Sequence, residues 1–73
     1  MTDIEMLRDK IKSSGFTIGY IASKLMISRE ALYRRLRGTV EFRQSEIAIL
    51  IALLNLSRKE EKQIFYAQVL TKR

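Results

Sequence analysis

Apolar positions recur at helical spacing along most of this chain, in short runs divided by polar punctuation. The best-organised stretch is Thr17 to Gly38, TIGYIASKLMISREALYRRLRG. Ile18, Ile21, Ala22 and Leu25 stand at i, i+3, i+4 and i+7, which is one face of a helix. Thr17 is placed as its N-cap, and Phe16 is placed to staple onto Ile21 at the fourth helical position. A short connection, Leu25-Met26-Ile27-Ser28, leads to a second pattern with Ser28 as N-cap. There Leu32 and Leu36 mark the inner side, and Gly38 supplies the left-handed residue that often follows a helix.

The same reading places three more helices. Thr2-Asp3-Ile4-Glu5 has the form of a capping box, followed by an Ile4, Leu7, Ile11 stripe and a stop at Ser13-Ser14-Gly15. Residues 39–44, TVEFRQ, have no period and read as a connection that tucks Val40 or Phe42 into the core. Ser45 is a candidate cap for a fourth helix running to about Leu54. Its run IAILIALL is apolar all round, so that helix is central, or partly an interface. Asn55 is a stop, and Ser57 with Glu60 forms a second capping box ahead of a fifth helix. The expectation is one all-α domain over residues 1–73, with helices at about 3–14, 18–25, 29–37, 45–54 and 58–71. Helices two and three, joined by a tight turn, make a helix-turn-helix unit.

Charge changes this picture from fold towards function. The net charge is +6, yet residues 1–15 are neutral overall and residues 39–56 carry one base against two acids. Residues 16–38 carry five bases and one acid, and residues 57–73 carry five bases and two acids. The third helix alone holds Arg29, Arg34, Arg35 and Arg37 against Glu30, a composition suited to an anionic partner. The chain has neither cysteine nor histidine, which removes disulfides, thiolate chemistry and the usual zinc sites. No glycine-rich phosphate loop is present, and Asp3, Glu5 and Asp9 lie on a charge-balanced helix. Catalysis, cofactors and a small-molecule substrate are therefore not expected. The longest apolar run, Ile47 to Leu54, is too short to span a bilayer, and residues 1–12 lack a signal-peptide core. A cytoplasmic protein is expected.

From Phe16 to Leu56, more than half of the chain, the sequence resembles the lambda-repressor-like, Cro/C1-type (XRE family) helix-turn-helix domain of phage and bacterial regulators. The resemblance rests on Thr17, Ala22, Leu25, Ile27, Ser28, Leu32 and Gly38, and on the apolar fourth helix. It implies a compact five-helix fold that binds operator DNA as a homodimer, with helix three in the major groove. A small member of this kind implies a temperate-phage regulator acting in the bacterial cytoplasm, typical of lysis–lysogeny switches. Carried over by position, it makes Arg29, Glu30, Tyr33 and Arg34 base readers, and places Thr17, Ser28 and Arg37 at phosphates. Helix geometry, at about 100° per residue, puts Arg34 opposite the Leu32/Leu36 side and turns Arg29 closer to the inner side. Three positions depart from the family pattern. Met26 stands where glycine is common, so a wider or differently shaped turn is expected. Ile18 replaces a glutamine that bonds phosphate, and Arg35 occupies an ordinarily apolar position.

Structural readings compete at several residues. Glu30 and Arg34 have the spacing and order of a surface ion pair. Arg35 reads as a solvated side chain laying its stem over apolar neighbours. Tyr20 and Tyr66 read as half-buried packing residues. Phe65, Tyr66, Val69 and Leu70, in a stretch where only Gln68 is polar, are the candidates for a dimer or partner interface. Two functions follow: a sequence-specific DNA-binding repressor, or an antirepressor or modulator of the same fold that grips a partner repressor protein.

Overall fold

The computed structural model describes residues 2–66 of the 73. These form five α-helices and no strand: α1 Ile4–Ser14, α2 Ile18–Leu25, α3 Arg29–Leu36, α4 Gln44–Leu53 and α5 Arg58–Phe65. α2 packs on both α3 and α4, while α1 packs on α5. The core draws one completely covered side chain from every helix: Leu7, Ile21, Leu32, Leu50 and Ile64. No helix among the described residues is long and apolar enough to cross a membrane.

The caps explain where the helices start. Asp3, not Thr2, caps α1, its Oδ1 accepting from the Met6 N–H at 3.1 Å. The expected Thr2/Glu5 box is therefore replaced by a cap one residue later. The Asp3 N–H is meanwhile engaged by the Ile64 carbonyl at 2.6 Å, which ties the start of α1 to α5. Thr17 and Ser28 cap α2 and α3 as expected, through the N–H groups of Tyr20 and Ala31. Ser57 and Glu60 form the reciprocal capping box at α5. α4 begins earlier than expected, with Arg43 rather than Ser45 at the cap position. Its third helical residue, Glu46, reaches back to accept from the Arg43 N–H at 3.0 Å. An arginine side chain has no acceptor to offer in return, so this is half of a capping box.

Three of the helices end in one way. Met26, Gly38 and Asn55 adopt left-handed backbone, with φ of 60°, 82° and 53°. The next N–H in each case bonds a carbonyl five residues back: Ile27 to Ala22, Thr39 to Arg34, and Leu56 to Ile51. This is the Schellman closure, which satisfies carbonyls left over at a helix end. Glycine and asparagine take that conformation readily; methionine does so against its own Cβ. The turn after α2 is thus tight, not widened. Met26 leaves its side chain 89% exposed in making it.

Between α3 and α4 the chain buries Phe42 edge-on against Phe65, ring centroids 6.4 Å apart, and leaves Val40 exposed. α4 buries Ile47 and Leu50, and its C-cap Leu54 is buried as well, whereas Ala48, Ile49 and Ala52 face outward. α5 stops at Phe65, with Tyr66 leaving helical backbone. The rest of the helix expected to residue 71 lies outside the described residues.

Candidate functional site

The arginines of α3 divide into two groups, and the division is tertiary. Arg35 is 7% exposed and Glu46 3% exposed, which makes them the buried charges among the described residues. Arg35 Nε donates to Glu46 Oε1 at 2.9 Å and Nη2 to Oε2 at 3.2 Å, a two-pronged guanidinium–carboxylate pair. Nη1 donates to the Ala31 carbonyl one turn back, at 3.1 Å. Glu46 also carries the Arg43 N–H, so one carboxylate joins α3 to the start of α4. Arg35 is therefore not the solvated side chain expected of it. Its position one turn after Leu32, on the inner side of α3, was the signal present in the sequence.

The outer face holds the other charges. Glu30, Tyr33, Arg34 and Arg37 line one shallow, open depression along α3. They stand at i, i+3, i+4 and i+7, which makes them a single stripe. Tyr33 is 44% exposed. The competing reading of Glu30 and Arg34 as an ion pair does not hold: the ion pairs among the described residues are Arg35–Glu46 and Lys10–Glu60. Among the described residues neither Glu30, Arg34 nor Arg37 has an ion-pair partner.

Arg29 is exposed but does not join that stripe. Its guanidinium crosses to α2 and lies on Gly19. A Cβ built at Gly19 would fall 2.8 Å from Arg29 Nη2 and 2.9 Å from Nε. Thr17 and Ser28 are both exposed. Each hydroxyl oxygen accepts the capping N–H, and its own proton remains available as a donor. Just before α2, the Phe16 ring lies against Tyr20, tilted, with centroids 5.0 Å apart. Lys24 Nζ lies over the Tyr20 ring at 5.4 Å. Sequence reading did not single out this aromatic–cation cluster, although the i, i+4 spacing of Phe16, Tyr20 and Lys24 was visible.

The expected interface residues fare differently. Phe65 is 4% exposed and belongs to the core, since it closes over Phe42; it is not an exposed interface residue. Tyr66 is half-buried, its hydroxyl 3.4 Å from Gln44 Oε1. Val69 and Leu70 lie outside the described residues. Exposed apolar residues of the scaffold are instead Val40 in the connection before α4 and Ala48, Ile49 and Ala52 on α4.

No protein-family model matches the chain, and comparison with curated proteins and with solved structures finds no significant match.

Proposed function

We propose that this chain is a sequence-specific DNA-binding regulator of the Cro type, with α2 and α3 as its helix-turn-helix and α3 entering the major groove. The observation that carries the reading is the split of charge on α3. Arg35 is committed inward to Glu46, while Glu30, Arg34 and Arg37 stand outward with Tyr33 and without ion-pair partners among the described residues. A stripe from i to i+7 covers about 10 Å of helix, enough to meet a few successive base pairs. Arg34 has the donor fork for guanine O6 and N7, and Glu30 accepts from cytosine N4. Thr17, Ser28 and Arg37 supply phosphate contacts. The small basic domain acts in the cytoplasm of a phage host, by excluding polymerase or a competing regulator from an operator. A homodimer formed through the outward side of α4 would set two copies of α3 about 34 Å apart, one turn of duplex. No catalytic, metal or cofactor chemistry enters this mechanism.

A second reading keeps the fold and changes the partner. Phe16, Tyr20 and Met26 expose apolar surface on and beside α2, at 37%, 42% and 89%. A modulator that grips a repressor protein would use such a surface.

Selection of binding sites from a random duplex pool at about 150 mM salt, where exposed charges are screened beyond roughly 8 Å, separates the two. Recovery of a shared, near-palindromic site is the result expected. Arg34→Ala should then relax preference at one base pair, at a cost of about 1–3 kcal/mol there. An unenriched pool would sink DNA reading by this chain and turn attention to the protein partner.

A further inference from the structure

Gly19 lies in the first turn of α2, and its φ is not in the left-handed region, so nothing in the backbone calls for glycine there. Glycine within a helix costs stability relative to alanine. What the missing side chain provides is space. The guanidinium of Arg29 occupies it, with Cζ 3.2 Å from where a Cβ would stand.

Folding electrostatics do not explain that placement. Arg29 is the first residue of α3 and lies on the first turn of α2. A cation at either helix start meets the positive end of the dipole. Nor does Arg29 form an ion pair with a carboxylate of the described residues. On the helical wheel of α3 it stands about 140° from Arg34 and about 40° beyond Tyr33, outside the edge of the stripe on the side of Leu36. The stripe itself is complete without it, from Glu30 to Arg37.

We infer that Gly19 is a positioning residue: its bare Cα seats the guanidinium of Arg29 on α2 and turns Arg29 from the base edges to a backbone phosphate of the duplex. This rests on the DNA-binding reading and deepens it. Glu30, Tyr33 and Arg34 then read sequence, while Arg29 sets affinity and register. Phosphate contacts act alike on all sequences, whereas base contacts discriminate among them.

Alanine at Gly19 makes the test, because the obstructed group is the far end of a flexible side chain and can swing away without disturbing the fold. Gly19→Ala, Arg29→Ala and the double variant of the full chain are titrated onto the selected duplex and onto duplexes with each base pair replaced, across a salt series. Gly19→Ala should melt about 2–4 °C higher than the parent chain, showing an intact fold. It should nevertheless bind about five- to tenfold more weakly, by the same factor on every duplex. Arg29→Ala should lose a similar factor and lower the salt slope by about one. The double variant should be no weaker than Arg29→Ala alone, since both changes remove one contact. Undiminished binding by Gly19→Ala, or additive losses in the double variant, would overturn the seating. Relaxed preference at a single base pair in Arg29→Ala would make Arg29 a base reader instead. A parent chain that selects no duplex at all would overturn the DNA-binding reading, and this inference with it.

Discussion

Glu46 shows how much a single residue holds in this domain. Its carboxylate accepts from Arg35 twice and from the Arg43 N–H, all in a buried setting. Removing one member of such a pair leaves an unpartnered buried charge, at a cost of about 3–5 kcal/mol. Total stability for 73 residues is about 4–11 kcal/mol, so Glu46→Ala should lose much or all of its cooperative urea transition. Arg35→Met combined with Glu46→Leu should recover all but about 1 kcal/mol, the remainder being the lost acceptor for Arg43. If the double variant were as unstable as Glu46→Ala, the pair would be supplying net stability rather than avoiding a penalty. Met26 is the opposite case, a residue whose replacement should help. Relief of its left-handed backbone, less the extra freedom glycine gives the unfolded chain, should stabilise Met26→Gly by up to about 1 kcal/mol. The side chain is too exposed for its packing to offset that gain. A melting temperature below the parent's would show that Met26 contributes a contact of its own.

At the level of elements, the helices are joined by few polar links, and one of them is sensitive to acid. Lys10 of α1 pairs with Glu60 of α5, across 50 residues of sequence. The hydrogen bond from Lys10, followed by the Ser57 backbone N–H, holds the Glu60 carboxyl below the ordinary glutamate range. A group whose folded pKa is depressed stabilises the fold fully above its unfolded pKa and loses that contribution as pH falls through the folded value. The melting temperature should therefore decline below the ordinary glutamate pKa, and Glu60→Gln should decline less steeply over that window. The contribution is modest, because both side chains remain in contact with water. Identical acid slopes for the two proteins would remove Glu60 from the account. The same glutamate caps α5, so its two roles, in α5 and between α1 and α5, are lost together.

For the whole molecule, the proposed homodimer requires a surface that meets a second copy. Phe65 of α5 is drawn inward onto Phe42, and the outward apolar residues left on the helices of the scaffold include Ala48, Ile49 and Ala52 of α4. A charge placed there should break a dimer and spare the monomer, because Ile49 is 36% exposed and lies outside the core. Ile49→Glu is expected to halve the mass seen in sedimentation equilibrium and to shift monomer stability by no more than about 0.5 kcal/mol. An unchanged dimer mass would move the contact elsewhere on the molecule.

Local chemistry sufficed for much of this fold. The spacing of Ile21, Ala22 and Leu25, and of Leu32 and Leu36, placed α2 and α3, because a helix face repeats at a fixed interval within one segment. Thr17, Ser28 and the Ser57/Glu60 box marked their own helix starts, since a cap bonds only two or three residues ahead. The outward stripe of Glu30, Arg34 and Arg37 was legible for the same reason. What local pattern could not supply were partners far along the chain. Arg35 meets Glu46 across the 39–44 connection, Asp3 gives its N–H to Ile64, and Phe65 closes on Phe42. Those contacts took Arg35 off the surface and Phe65 into the core. Arg29 belongs with them: periodicity gave its angle on α3, but only the packing of α2 against α3 put Gly19 beneath its guanidinium. Sequence determined which residues could face outward, through helical period and capping; the tertiary structure decided which arginines were free, because burial sets which charges must find a partner inside.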